Sequence, residues 1–198
     1  MFDNKNPIDV FKMWLDEATK TEINDPNAMA IATVDEKGIP QNRMVLLKDI
    51  VGEDLVFYTN KNSQKAKAMK ANKNVAVLFH WKTLSRQVRI TGVVEFADKD
   101  NDQKYFSSRS TMSRLGAIAS KQSQVLADKK ILIDKVDELK KEYSDLEDKK
   151  IPCPEYWGGY KIKPNKIELW MDGENRLHDR FEYTKDKNNN WISSRLYP

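Results

Sequence analysis

Several short segments of the sequence bring cationic and hydroxyl side chains together, as a phosphate-binding site requires. The first runs from the end of a predicted strand into the start of a predicted helix and holds Tyr58, Thr59, Ser63, Gln64 and Lys65. The N-terminus of a helix offers free backbone N–H groups and a positive dipole end, so a serine cap and a lysine there would complete an anion cradle. An ordinary capped surface helix has the same pattern, and spacing alone leaves both interpretations open.

Two further segments carry cations. Tyr105 and Arg109 are four residues apart and share one face of a predicted helix, with Ser113 a turn further on. A phenol, a guanidinium and a hydroxyl could hold a phosphate monoester, although a solvated helix face has the same composition. Arg43 and Lys48 are five residues apart on a predicted strand, so an extended chain directs them to opposite faces unless it bulges.

The segment before the last predicted strands has cations at alternate positions. Arg176, His178 and Arg180 would all point to one face if this segment were a strand. Such a face needs anions or a planar, electron-rich partner beside it. Glu174, Asp179 or a neighbouring strand could neutralise it instead, so a functional and a structural interpretation are equally open.

Neutral hydrogen-bonding groups and one large aromatic residue complete the set of candidates. Gln87 and the pair Gln122-Ser123 could read the polar edge of a heterocycle, because an amide offers both a donor and an acceptor. Trp170 could belong to the core or form a wall against a flat ring, and composition alone favours the core.

The hydrophobic pattern predicts the elements that must position these side chains. Helices are predicted over 7–19, after Ser63, within 99–120 and over 127–146, the last with a stripe of Leu132, Val136, Leu139, Tyr143 and Leu146. Strands are predicted at 28–34, 43–48, 55–59, 75–79, 86–96, 156–162, 166–171, 180–185 and 190–197, with turns that include Pro164-Asn165. Many short strands with helical additions indicate a small β-barrel, mainly β with helices, and 1–198 is predicted to be a single domain.

The composition excludes several classes of function. The 34 Lys and Arg exceed the 30 Asp and Glu by only four and are spread along the chain, which disfavours a nucleic-acid-binding protein. A single cysteine, Cys153, permits no internal disulfide and fits a reducing cytoplasm, and with two histidines it makes a Cys/His metal site improbable. The glycines form no dinucleotide or P-loop motif, and neither a signal peptide nor a membrane span is expected.

The order and content of these segments resemble the pyridoxamine 5′-phosphate oxidase family. The resemblance runs from about Asp25 to the last residue, in the blocks DPNAMAIATVDEKGIPQNRMVLLK, LVFYTNKNSQKA, LFHWKTLSRQVRITG, KYFSSR with LGAIASKQS, PEYWGGYKI and IELWMDGENRLHDRF. It implies an FMN-binding split β-barrel that forms a homodimer, with two FMN sites at the interface. It also implies oxidation of pyridoxine 5′-phosphate or pyridoxamine 5′-phosphate to pyridoxal 5′-phosphate, with dioxygen as acceptor and hydrogen peroxide as product.

The resemblance implies a role for each candidate residue. Arg176 and His178 would be catalytic and hold the pyridine ring over the flavin, and four residues would bind the substrate phosphate, namely Lys48, Tyr105, Arg109 and Ser113. The FMN-binding residues, some of them from the second subunit, would be Arg43, Met44, Val45, Leu46, Leu47, Lys48, Tyr58, Thr59, Ser63, Gln64, Lys65, Gln87, Gln122, Ser123, Trp170 and Arg180.

The chain departs from the family pattern at two places. Gln64 stands where the family usually has Arg or Lys, so we expect FMN to bind somewhat more weakly. The family usually has a longer amino-terminal arm over the substrate, and this chain starts near its first predicted helix, so a short lid or none is expected.

Three alternatives stay open at this point. A split-barrel flavoenzyme with another substrate, such as the oxidases of phenazine assembly, would discriminate poorly between phosphorylated and dephosphorylated pyridoxine. A non-catalytic FMN- or pyridoxal-phosphate-binding module would be yellow but would consume no oxygen. A basic nucleic-acid-binding module would show steep salt dependence, and the scattered acidic residues argue against it.

Overall fold

The structure is a computed structural model that describes residues 5–144 and 150–198. Five helices are present in this part of the chain: α1 (Pro7–Thr21), α2 (Gln64–Ala71), α3 (Asp100–Ser108), α4 (Thr111–Ala119) and α5 (Lys129–Glu142). The strands are β1 (Ala28–Val34), β2 (Pro40–Leu46), β3 (Asp49–Val51), β4 (Asp54–Asn60), β5 (Asn74–Trp81), β6 (Arg86–Phe96), β7 (Trp157–Met171), β8 (Asp179–Lys185) and β9 (Trp191–Arg195).

The helices begin where capping residues predict. The Asn6 side chain accepts a hydrogen bond from the Ile8 backbone N–H at the start of α1, and Pro7 occupies its first turn. Ser63 caps α2 and Ser110 caps α4 through their hydroxyl groups. The helix predicted over 127–146 begins one residue after its Asp128 cap, and Leu146 of its predicted stripe lies outside the described residues.

All strand pairs are antiparallel, in the order β2-β1-β5-β6-β7-β4-β3, with β8 on β7 and β9 on β8. The central strand β7 pairs with β4 through its first half and with β8 through its second half. The sheet therefore branches at β7, with β4 and β3 on one branch and β8 and β9 on the other.

The predicted turn at Pro164-Asn165 is wrong, because residues 157–171 form one continuous strand. Opposite this point the register of β6 shifts between Thr91 and Gly92, so that Gly92 faces Pro164 and Thr91 faces Lys166. Asn165 is the extra residue of a bulge. A bulge tolerates proline, which has no backbone N–H to donate to the ladder.

Two apolar clusters fill the interior. The larger one packs α1 against the inner face of the sheet, where the rings of Phe11 and Phe79 lie 4.9 Å apart. The smaller one lies beneath α3, α4 and α5 and contains Phe106, Leu115 and Trp157. Because β7 contributes to both clusters, the helices that border the site are fixed directly to the sheet.

Candidate active site

A cleft of about 820 Å³ opens between β2, β4 and the pair of helices α3 and α4. It collects hydroxyl, amide and cationic groups from segments far apart in the sequence. The lining residues are Met44, Val45, Leu46, Lys48, Tyr58, Thr59, Asn60, Lys65, Tyr105, Ser108, Arg109, Ser110, Ser113, Gly116, Ala117, Ser120, Gln122 and Trp157. Most of the candidates from the first half of the sequence are therefore brought together.

The first cationic subsite surrounds Lys65 at the start of α2. The Lys65 Nζ donates to Thr59 Oγ1 at 3.1 Å, to Ser63 Oγ at 3.3 Å and to Gln122 Oε1 at 2.9 Å. Only 9% of the Lys65 surface is exposed. Burial, with a smaller contribution from the charge of Arg43, lowers the pKa of Lys65 to about 8. A buried ammonium whose partners are all neutral favours the binding of an anion.

The second cationic subsite surrounds Arg109, at the end of α3. Its guanidinium lies over the Trp157 ring, 5.1 Å from the ring centre. The buried NH1 nitrogen has no hydrogen-bond partner among the described residues, and burial lowers the pKa of Arg109. Ser110 and Ser113 lie at the N-terminus of α4, where their hydroxyls are 2.8 Å apart. An unsatisfied guanidinium beside a helix N-terminus fits a phosphate group.

A stack of aromatic rings forms the floor beneath Arg109. Tyr58 and Tyr105 lie face to face with ring centres 4.0 Å apart, and Trp157 is 5.4 Å from Tyr58 and 5.9 Å from Tyr105. The stack ties β4, α3 and β7 together. It holds the two phenol groups at the cleft wall and leaves Arg109 little freedom to move.

A groove of about 440 Å³ adjoins the cleft on its β2 side and is lined by Arg43, Gln64, Lys65, Gln122 and Ser123, with Gln41, Asn42 and Met44. The Arg43 guanidinium donates to Thr33 Oγ1 at 2.7 Å and to Gln41 Oε1 at 3.0 Å. Ser123 has a φ of 70°, so the chain turns sharply where the pair Gln122-Ser123 meets the groove.

Only part of the segment 43–48 lines the cleft. Leu47 is 3% exposed and its side chain belongs to the large apolar core, because the chain leaves β2 after Leu46 and turns inward. Lys48 lies between β2 and β3, is exposed and lines the cleft. The break after Leu46 resolves the question of opposite faces for Arg43 and Lys48, since the two residues are not on one continuous strand.

The prediction that Arg176, His178 and Arg180 alternate on one strand is wrong. Residues Glu174–Arg176 form one turn of 3₁₀ helix, in which Asn175 and Arg176 have φ of 54° and 65°, and β8 begins only at Asp179. Polar residues around Gly173 favour a tight turn over an extended strand. Only Arg180 lies on the strand, and its charge is balanced by protein carboxylates.

The remaining candidates lie on the outer face of the sheet, where Gln87, Trp170 and Arg180 face one another across β6, β7 and β8. The buried carboxylate of Glu168 accepts from Arg180 Nε at 2.9 Å and from Arg89 NH1 at 2.9 Å. Trp170 is half-buried on this face, so its assignment to the core is wrong.

His178 closes one end of this outer surface. Its ring lies 4.6 Å from that of Trp170, and its Nδ1 is 3.1 Å from Asp172 Oδ1. The Gly173 backbone N–H donates to the same Nδ1 at 3.3 Å. None of Gln87, Trp170, Arg176, His178 and Arg180 lines the cleft of its own protomer.

Sequence reasoning missed several residues of the cleft. Ser110 was detectable, because a serine directly after Arg109 and three residues before Ser113 is a typical N-cap. Asn60, Ser108, Ser120 and Trp157 carry no signal of their own, since they line the cleft only once the strands and helices have packed.

The residues present fit a phosphorylated flavin together with a phosphorylated substrate. Lys65, the Ser63-capped start of α2 and nearby Arg43 can hold one phosphate, and Arg109 with its unsatisfied nitrogen can hold a second. Met44, Val45 and Leu46 offer an apolar strip between the two subsites for a flat ring. One phosphate alone would leave one of the two partly desolvated cations uncompensated.

No helix in residues 5–144 or 150–198 is long and apolar enough to cross a membrane. Within the same residues, no group of three or more His, Cys, Asp and Glu side chains has the arrangement of a metal site.

Comparison with known structures shows the same architecture. PhzG from Burkholderia lata, solved in complex with tetrahydrophenazine-1-carboxylic acid, superposes with a TM-score of 0.91 at 27% identity and covers 99% of this chain and 95% of its own. A pyridoxamine 5′-phosphate oxidase-related, FMN binding protein from Nostoc punctiforme has a TM-score of 0.76 at 14% identity, over 98% of this chain and 100% of its own. The predicted mainly-β split-barrel fold is confirmed.

Sequence comparison defines the family. Residues 15–143 match the model described as pyridoxamine 5′-phosphate oxidase, and residues 157–198 match the pyridoxine 5′-phosphate oxidase C-terminal dimerisation region. The pyridoxine/pyridoxamine 5′-phosphate oxidase of Pelagibacter ubique is 49% identical over 99% of this chain and 93% of its own length, and that of Ruegeria sp. is 46% identical over 100% and 97%. This chain belongs to the pyridoxamine 5′-phosphate oxidase family.

Proposed function

We propose that this protein is an FMN-dependent oxidase that converts pyridoxine 5′-phosphate or pyridoxamine 5′-phosphate to pyridoxal 5′-phosphate. The observation that carries the proposal is the pair of cationic subsites, around buried Lys65 and half-buried Arg109, in one cleft of a member of this family. A cofactor phosphate and a substrate phosphate each need one such subsite, because a phosphate monoester carries about −1.5 to −2 charges at neutral pH.

The reaction removes two electrons and two protons from the substrate at C4′. FMN, when bound, supplies the acceptor for the hydride equivalent, and dioxygen takes the electrons onward to become hydrogen peroxide. The alcohol substrate gives the aldehyde directly, and the amine substrate also consumes one water and releases ammonia. The protein's contribution is binding, orientation and charge.

The residues around α2 hold the cofactor phosphate in this proposal. Lys65 supplies the charge, Thr59 and Ser63 supply hydroxyls, and Gln122 exchanges its hydrogen bond with Lys65 for one with the ligand. The other cofactor contacts come from the strip and the groove beside it, namely Arg43, Met44, Val45, Leu46, Tyr58, Gln64 and Ser123, with Lys48 at the cleft edge. Leu47 contributes only through its backbone, because its side chain is in the core.

The residues around Arg109 hold the substrate phosphate. Arg109 donates from its unpartnered nitrogen, Tyr105 and Ser113 add hydroxyls, and exposed Lys48 closes the site from the opposite wall. Since the phosphate is carried on C5′ and not on the reacting carbon C4′, these contacts fix the position of the ring without taking part in bond breaking.

A second copy of the chain completes the site. Gln87, Trp170, Arg176, His178 and Arg180 lie on β6 to β8 or the turn before β8, within or facing the dimerisation region at 157–198. The protein acts as a homodimer, and we propose that these residues reach the flavin and the pyridine ring of the opposite cleft. Arg176 steers the ring, and His178 holds it with its free ring nitrogen.

We also propose a domain organisation and a cellular compartment for this chain. Residues 1–198 act as one domain, supported by the way β7 places Trp157 in the smaller cluster and Ile162 and Leu169 in the larger one. The cytosol is the compartment we propose, since Cys153 is the single cysteine.

An oxygen-electrode assay tests this function. The FMN-loaded protein should consume oxygen with pyridoxine 5′-phosphate and produce an equal amount of pyridoxal 5′-phosphate, and it should turn over dephosphorylated pyridoxine far more slowly. Because the fold is close to that of a protein solved with tetrahydrophenazine-1-carboxylic acid, that compound is the comparison substrate. Oxygen uptake with the phenazine and not with pyridoxine 5′-phosphate would contradict the proposal.

A further inference from the structure

Asp102 is a buried carboxylate that the mechanism above does not use. It lies in the first turn of α3 and is 8% exposed. Its Oδ1 accepts the Gly159 backbone N–H at 2.8 Å, and its Oδ2 accepts from Lys61 Nζ at 3.1 Å. One side chain therefore joins α3 to the central strand β7 and to the turn that follows β4.

Asp102 shares a helix face with the substrate-phosphate residues. Tyr105, Phe106 and Arg109 follow it at the third, fourth and seventh positions, which is the spacing of one face of an α-helix. This face packs on β4 and β7, with Phe106 in the smaller cluster and Tyr105 against Tyr58. The contacts of Asp102 at the start of this face thus fix the position of α3 along its axis, and with it the positions of Tyr105 and Arg109 in the cleft.

The sequence of β7 leaves room for these contacts of Asp102. A Cβ at Gly158 would lie 2.2 Å from Asp102 Oδ2 and 2.5 Å from Lys61 Nζ, and a Cβ at Gly159 would lie 2.8 Å from that of Ala97. Paired glycines weaken a strand, so their presence here has a steric reason. Glycine at 158 leaves the space beside β7 that the Asp102 carboxylate and the Lys61 ammonium occupy.

Lys61 connects Asp102 to the turn that leads into the cofactor-phosphate subsite. It lies two residues after Thr59 and two before Ser63, and its backbone N–H donates to the Tyr156 carbonyl oxygen. The ion pair with Asp102 therefore links the turn that carries the Lys65 subsite to the helix that carries the Arg109 subsite.

We propose that Asp102 is a positioning residue for substrate binding, which acts through Arg109 and Tyr105 and, with Lys61, sets the spacing between the two phosphate subsites. The inference rests on the proposed function. Burying an ion pair costs desolvation, and an apolar contact would hold α3 to the sheet at least as well. What an apolar contact lacks is a pair of directional bonds, to Gly159 and to Lys61, and the two bonds together fix the helix along its axis.

The test measures steady-state kinetics of Asp102→Asn with pyridoxine 5′-phosphate, because asparagine keeps an acceptor for Gly159 but loses the charge facing Lys61. We expect KM to rise about tenfold with kcat within about twofold of the wild type. Glu95→Gln is the matched control, since it breaks a half-exposed ion pair with Lys163 on neighbouring strands, and it should change neither constant.

A double-mutant cycle separates positioning from general stability. In an Arg109→Met background, Asp102→Asn should raise KM by less than about twofold, because the residue it positions is already gone. An equal rise in both backgrounds, or no rise in the wild-type background, overturns the proposal. If Asp102→Asn is not recovered folded, Lys61→Met replaces it, with a smaller rise in KM that must also vanish beside Arg109→Met.

Failure of the proposed function can be distinguished from failure of the positioning role. If the wild type does not oxidise pyridoxine 5′-phosphate at all, the proposed function fails, and equilibrium dialysis of the same variants with pyridoxal 5′-phosphate still tests the positioning role. Weaker binding in Asp102→Asn that disappears beside Arg109→Met supports the role, and unchanged binding overturns it.

Discussion

At the scale of single residues, two desolvated cations, buried Lys65 and half-buried Arg109, give the cleft its chemistry. Each is desolvated by the fold, and in each case burial lowers the pKa. A cation held in this way destabilises the ligand-free protein, and a bound anion relieves the cost. Part of the free energy of ligand binding is therefore stored in the unliganded fold.

The pKa of Lys65 predicts how FMN affinity changes with pH. With a pKa of about 8, Lys65 is charged below that pH and increasingly neutral above it. We expect the Kd for FMN to be flat from pH 6.5 to about 7.5 and to rise above pH 8, as measured by quenching of flavin fluorescence on titration of apo-protein. Lys65→Met should bind weakly at every pH, and a wild-type Kd that is constant up to pH 9.5 would contradict this role of Lys65.

The lowered pKa of Lys65 also affects the folding stability of the apo-protein. The folded-state pKa of Lys65 lies below the unfolded value of 10.5, so the unfolded chain binds the extra proton between these two values. The contribution of Lys65 to the free energy of unfolding should therefore increase from pH 8 to pH 10.5 in apo-protein. The gain should be absent in Lys65→Met.

Replacing Gln64 with arginine is expected to raise the affinity for FMN. It is exposed at the groove that Arg43, Gln122 and Ser123 also line. Because a charged hydrogen bond contributes roughly 1 kcal/mol more than a neutral one, Gln64→Arg should tighten FMN binding by up to about tenfold. Asn101→Arg adds the same charge on the exposed side of α3 and should have no effect. An unchanged Kd in Gln64→Arg would discard the idea.

Residue types and spacing singled out Lys65 and Arg109, which the structure places in one cleft, because Ser63 marks the start of α2 and because Tyr105 and Arg109 are four residues apart. The sequence could not show that Arg176 leaves the strand, since its positive φ depends on a turn closed by Gly173 and Leu177. Neither could it show that Arg180 meets Glu168, because that contact needs the register of β7 and β8.

At the scale of elements, the bulge between β6 and β7 keeps the branching strand continuous. A Cβ at Gly92 would lie 2.2 Å from the Lys163 carbonyl oxygen, so Gly92→Ala forces the two strands apart. We expect the free energy of unfolding to fall by about 1–3 kcal/mol, measured by urea denaturation of the apo-protein.

Gly116→Ala is the matched control for that prediction. Gly116 lies inside α4, and a Cβ there would meet nothing within 4 Å. Alanine is the better helix former by about 1 kcal/mol, so this variant should be slightly more stable than the wild type. Equal destabilisation by both substitutions would show that the backbone approach at Gly92 is not the cause.

The element boundaries followed local signals in most cases. The cap at Ser63, the apolar stripe in 127–146 and the alternation in 86–96 predicted α2, α5 and β6 to within a few residues. Pro164-Asn165 was mistaken for a turn because a bulge and a turn use the same residue types. Only the pairing with Gly92 distinguishes them, and a pairing partner more than seventy residues away is not visible locally.

At the scale of the whole molecule, the outer face of the sheet needs a partner. Ala30, Ala32, Ala76 and Leu78 lie on it beside Gln87 and Arg89. We expect Leu78→Asp to yield monomers by analytical ultracentrifugation and to lose FMN binding, because a charged carboxylate would replace an apolar side chain between the two copies. Ile23→Asp, at a residue that is 92% exposed, is the control and should remain dimeric. A dimeric, yellow Leu78→Asp variant would place the interface elsewhere.

The dimer shows the limit of sequence reasoning for this protein. Patterning predicted a mainly-β chain with helices and a set of candidate cations, but it gave no reason to assign Gln87, Trp170 and Arg180 to a different cleft from Lys65. That separation arises because β7 branches, so residues on its two halves face different surfaces. The homodimer followed from the resemblance to a family and not from periodicity.

The most direct test of the central claim is anaerobic mixing of the FMN-loaded protein with pyridoxine 5′-phosphate while the visible absorbance of the flavin is followed. If the cleft holds cofactor and substrate side by side through its two cationic subsites, the yellow absorbance bleaches in the wild type and bleaches only at far higher substrate concentration in Arg109→Met. A wild-type protein that binds FMN but stays yellow with saturating pyridoxine 5′-phosphate would contradict the account.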